Sequence, residues 1–260
     1  MNTMAILDLV RSIVLFAIFL RASHYLRLGR NKLSIVFFTL AIASILLSDL
    51  YWLAYDILRP ETRMPFAANE ISEWALFLLL GATINVSDGN RYGIAKIEKL
   101  CAVIFTVGNV ALWIAWSGEW IQDILTGLAF GYFLWNLVEK MKWDESYTRW
   151  QWILLGVDCL VLIAGQVGTF LVPEVFRKPL DYCCYVLLFA TAGVFIARSI
   201  IALAGKDEHK QSVTHSFAAF AWIVVTMYMS AEPIYFGALS LSIVCFAMMW
   251  AALVKEVAKK

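Results

Sequence analysis

Asp49, Trp52 and Asp56 recur at i, i+3 and i+7 inside an otherwise apolar run, so they share one face of a helix. Across the short linker 59–65, Asn69 and Glu73 form an i, i+4 pair, with Glu70 one turn from Glu73 and Trp74. A carboxylate within an apolar helix is costly unless protein, water or a counter-charge meets it, so the cluster marks a candidate site. Carboxylates beside aromatic faces suit an organic cation or amine. Asn109 and Gln166 fall at similar depth on later helices, and Arg11 stands near the start of the chain. The predicted ligand-binding set is therefore Asp49, Trp52, Asp56, Glu70, Glu73, Asn109 and Gln166, with Arg11 as an internal counter-ion to Asp49 or Glu73. A structural network of ion pair and amides, gluing helices together without a ligand, fits the same residues.

Asp158 stands apart. It falls about ten residues into its apolar segment, near the bilayer centre at the usual helical rise. It is a candidate relay residue if a polar path leads on to Gln166, with Arg198 as the nearest counter-charge in the next helix. A buried structural acid is the simpler reading.

Other chemistries find little support. His24, His209 and His215 are predicted at the same end of the bundle, away from the acidic cluster. H-E-x-x-H and G-x-S-x-G do not occur, and no C-x-x-C joins the five cysteines, which read as small buried hydrophobes. The last helix has no central lysine for a retinal Schiff base. No metal, cofactor or catalytic set is expected, and a net charge of +1 gives no reason to expect nucleic acid as a partner.

The elements that must carry these residues are apolar helices. The composition is 62% hydrophobic with a mean hydropathy of +0.74, where soluble domains hold about 45–50% apolar residues. Nine segments of about the 20 residues needed to cross a bilayer are predicted: 3–22, 33–57, 66–87, 97–116, 119–141, 149–172, 179–204, 212–231 and 234–255. Asp8 and Arg11 interrupt the first, so an eight-span arrangement with that helix lying in the interface also fits. Sixteen Lys and Arg gather at one set of ends against four at the other, which predicts an outside N-terminus and a cytoplasmic C-terminus. All five prolines fall in the outer connections or the first turn after them, and no helix interior is expected to contain one. After helix 1 the chain reads as four hairpins, with Asp49, Asn109, Gln166 and Thr226 spaced by 60, 57 and 60 residues, a weak hint of internal repetition.

The expected fold is thus all-α: a polytopic transmembrane helix bundle forming one integral domain over 1–260, in the plasma membrane. The function these residues suggest is recognition of a small cationic or aromatic ligand in an outward-facing acidic and aromatic pocket, as a sensor or a transport component. A sensor would need a membrane or cytoplasmic partner protein, since no output domain is evident. Two alternatives are an intramembrane enzyme acting on lipid, with Asp49 and Glu73 as acid and base, and an accessory subunit with no ligand.

Overall fold

The computed structural model describes residues 3–27, 33–58, 68–87, 95–117, 119–143, 148–205, 209–229 and 234–258. Among them are nine helices: α1 (Thr3–Arg27), α2 (Leu33–Leu58), α3 (Ala68–Ser87), α4 (Lys96–Ser117), α5 (Trp120–Trp143), α6 (Arg149–Leu171), α7 (Glu174–Ala204), α8 (His209–Met229) and α9 (Ile234–Ala258). Five of these, α2, α4, α5, α7 and α9, are long and apolar enough to cross a membrane. The chain is an all-α, polytopic membrane bundle.

Local sequence explains several boundaries. Thr148 and Gln151 form a reciprocal capping box at the start of α6, with the Gln151 side chain accepting from the Thr148 amide at 2.8 Å. On α5, Gly127 and Gly131 lie flat against Val110 and Thr106 of α4. As α5 advances four residues, its partner on α4 retreats four, so the two helices are antiparallel and closely packed. The same logic orders the rest. Arg11 meets Asp49 at one end of α1 and α2, while Tyr25 and Phe38 meet Trp250 at the other.

Helix contacts close a ring in the order α1, α2, α3, α5, α4, α6, α7, α9 and back to α1, with α8 inside it against α5, α7 and α9. Lys255 of α9 donates to the Leu203 carbonyl in the last turn of α7, which ties the ring shut at that end. The central position of α8 resolves a puzzle in its composition. Its first half carries Ser212, Thr214, His215 and Ser216, yet residues 212–226 are buried without interruption. A helix that touches only other helices can satisfy such groups internally, and Ser216 does so, meeting Ser199 of α7 at 2.6 Å and the Ser212 carbonyl at 2.5 Å.

α1 runs alongside α2 and α9 from Arg11 to Tyr25. Two expectations need correction. α7 begins at Glu174, so Pro179 lies within the helix and not in its first turn. Pro173 at the N-cap starts the helix early, and Pro179 then removes only one early backbone bond. The evenly spaced polar residues do not form one layer either. Asp49 bonds across helices, whereas Asn109 and Thr226 turn back on the carbonyls of Phe105 and Trp222 in their own helices.

Candidate functional site

The pocket is built by five helices, at the end of the bundle where α1, α3 and α9 begin. On α1, Asp8 and Arg11 are one turn apart and both are buried. On α2, Asp49 and Trp52 are likewise one turn apart. α3 supplies Glu73, and α9 supplies Tyr235. The Arg11 Nε lies 2.9 Å from Asp49 Oδ2, with the two side chains only 8% and 4% exposed. Of the two partners predicted for Arg11, the structure pairs it with Asp49. Asp8, Glu73 and Tyr235 are within electrostatic reach of the same pair. The cavity between these residues is about 290 Å³.

Below the charged wall the lining turns aromatic. Phe77 of α3, Phe220 of α8 and Phe246 of α9 reach deepest into the pocket. Phe220 and Phe246 have ring centroids 4.9 Å apart, and Phe130 and Phe133 of α5 pack behind Phe77 and Phe220 at 5.3 and 6.2 Å. The edge-to-face and tilted geometries fill the space and leave a floor of phenylalanine. The outer wall is held in place by Trp74, whose indole N–H donates to Thr126 Oγ1 of α5 at 2.8 Å. Tyr51, Trp52 and Tyr55 contact one another along α2 at 5.7 to 6.3 Å, which extends the aromatic surface beyond the pocket.

Of the predicted set, Asp49, Trp52, Glu73 and the counter-ion Arg11 therefore line one cavity. Glu70 is buried on α3 but is not part of the wall. Asn109 belongs to α4, on the far side of α5, and bonds to the Phe105 carbonyl at 2.8 Å. The side chains of Asp56 and Gln166 lie outside the described residues. Asp8 and Tyr235 stood outside the predicted ligand set, although their places in the sequence put both at this end of the bundle. Asp8 carried a usable signal, an acid one helical turn before Arg11, whereas nothing in the local sequence brings Tyr235 to Arg11.

Asp158 is fully buried on the opposite side of the bundle. Its Oδ2 accepts from Thr191 of α7 at 2.5 Å. Arg198, the predicted counter-charge, is exposed on α7 instead. One turn of α7 beyond Arg198's neighbour Ser199, at Leu203, the ring closes on Lys255.

The other end of the molecule carries a set of ion pairs that sequence reading treated as a basic surface. Lys140 is completely buried and lies 3.7 Å from Glu256 of α9. Lys99 meets Glu139 at 2.6 Å and also lies 4.6 Å from the Trp135 ring centroid, while Lys142 meets Glu98 at 2.7 Å. These pairs tie α4 and α9 to the last turns of α5. Among the described residues no group of His, Cys, Asp or Glu is gathered as a metal ion would require. No family model matches the chain, and neither a curated protein nor a solved structure is found to be similar.

Proposed function

We propose that this protein recognises a small organic cation in the pocket between α1, α2, α3, α8 and α9, and that the pocket opens on the extracellular side. The observation that carries the reading is the charge of the wall. Among the described lining residues, Asp8, Asp49 and Glu73 share the wall with Arg11. An organic cation would be attracted to so acidic a wall, the more strongly because the site is screened little by water. Trp52 and Tyr235 at the wall and phenylalanines at the floor add the faces over which an alkylammonium or aromatic amine is held. A cavity of about 290 Å³ favours a ligand of modest size.

The floor favours recognition over passage. Phe77, Phe220 and Phe246, backed by Phe133, separate the pocket from the Lys140–Glu256 pair beyond. A receptor-like role, with the signal handed to a partner protein, suits a pocket closed at its base. The lipid-acting enzyme is less well supported, since Asp49 is already engaged by Arg11 and the described wall contains no histidine or cysteine.

A thermal-shift screen of the detergent-purified protein against alkyl and aromatic amines tests the reading. At least one amine should raise the melting temperature, and Glu73→Gln or Trp52→Leu should remove most of that shift while the Arg11–Asp49 pair stays intact. Failure of every amine, or a shift that survives both substitutions, would overturn the assignment. Uptake of the stabilising amine into proteoliposomes would instead assign the site to a transporter.

A further inference from the structure

A second cavity lies on the other face of α8. Phe220, Val224 and Met227 turn to the acidic pocket, whereas Ala218, Ala221, Trp222 and Val225 turn to a cleft of about 460 Å³ walled by α4, α5 and α6. From this cleft we infer a binding site for one acyl chain of an anionic phospholipid, in the leaflet at the Lys99–Lys142 end of the bundle.

Four observations support that occupant. The lining is apolar throughout except for Glu98, which is held by Lys142 at 2.7 Å. The cleft opens sideways, because α4 and α6 barely touch and their lining residues Ile97, Ile104 and Leu160 are 75%, 59% and 70% exposed. In a membrane protein that opening faces hydrocarbon, not water. Its length also fits. From Trp152 to Ile163 along α6 is about 16 Å at the helical rise, close to the ~15 Å of one leaflet. Finally, Gly156 lines the cleft with nothing within 4 Å of where its Cβ would be, so the space is real at the level of a side chain.

A flexible acyl chain can follow an irregular apolar slot, whereas a rigid helix about 10 Å across would have to match it along its whole length. A single flexible chain is what such a slot accepts. Charge at the mouth selects the headgroup. Among the described residues, Lys99 and Lys142 are matched by Glu139 and Glu98, while Lys96 and Arg149, at the exposed starts of α4 and α6, add positive charge at the same end. A phosphate with a net negative headgroup is attracted there.

Photolabelling tests this directly. The protein is reconstituted with phosphatidylglycerol carrying a diazirine within its acyl chain, illuminated, and digested for mass spectrometry. Ala218, Ala221, Trp222 and Val225 are at most 7% exposed, so a lipid reaches α8 only through the cleft. Label on the α8 peptide is expected, with loss of most of it in Gly156→Phe and retention in Gly156→Ala. Label confined to the outer faces of α4 and α6, or α8 label indifferent to Gly156→Phe, would overturn the site. Equal labelling of α8 by the phosphatidylcholine analogue would overturn the anionic headgroup, and labelling by a diazirine fatty acid alone would overturn the phospholipid.

Discussion

Arg11 and Asp49 are 2.9 Å apart and nearly dry, but their removal should not be symmetrical. Without Arg11, three carboxylates would face one another across the pocket. Without Asp49, Arg11 would still have Asp8 and Glu73 in reach. Breaking a buried pair typically costs about 3–5 kcal/mol. Arg11→Gln is expected in that range and Asp49→Asn clearly below it, while Arg11→Met combined with Asp49→Leu should recover much of the loss. Reversible unfolding in mixed micelles would read all three, and equal costs for the two single variants would contradict the shared-cation arrangement. At this level the sequence was informative where both partners stand near an element's start or end. Arg11, Asp49, Trp52 and Glu73 announced themselves as polar or aromatic intrusions in apolar runs. The meeting of Tyr235 with Arg11 was not announced, because the two stand on helices more than 160 residues apart in the chain.

Helices pack here through small residues, and the glycines divide by what they touch. A Cβ on Gly131 would stand 2.9 Å from the Thr106 methyl group, and one on Gly127 would overlap Val110. Gly156 and Gly193 have open space instead. Gly127→Ala and Gly131→Ala are therefore expected to destabilise the α4–α5 pair by about 1–3 kcal/mol, as overpacking does. Gly156→Ala and Gly193→Ala should be neutral or stabilising by up to about 1 kcal/mol, through helix propensity alone. Melting temperatures of the four variants in one detergent would test the contrast. The G-x-x-x-G spacing of Gly127 and Gly131 is legible in the residues themselves, because the contact it makes is set by one face of one helix. The early start of α7 is not, since Pro179 as a first-turn residue and Pro179 as an interior residue both satisfy local rules.

The two ends of the bundle differ in chemistry. One holds the acidic pocket, and the other holds Lys99, Lys140, Lys142 and Lys255 with their partners. Positive residues are retained on the cytoplasmic side, so cysteines introduced at the two chain termini should react oppositely with a membrane-impermeant maleimide in intact cells, the N-terminal one labelling and the C-terminal one not. The reverse pattern would turn the pocket toward the cytoplasm and remove its role in sensing an external cation. Composition and hydropathy determined on their own that the chain is a membrane bundle of about nine helices, because lipid imposes one rule, continuous apolar helix, on every segment it touches. Which helix escapes the lipid was decided only by tertiary structure. α8 fills the centre of the ring, and its two faces complete two separate cavities, one charged and one apolar. No local pattern specifies that, because helix neighbours within a bilayer are chosen by side-chain fit and polar matching between distant segments, with little help from hydrophobicity itself.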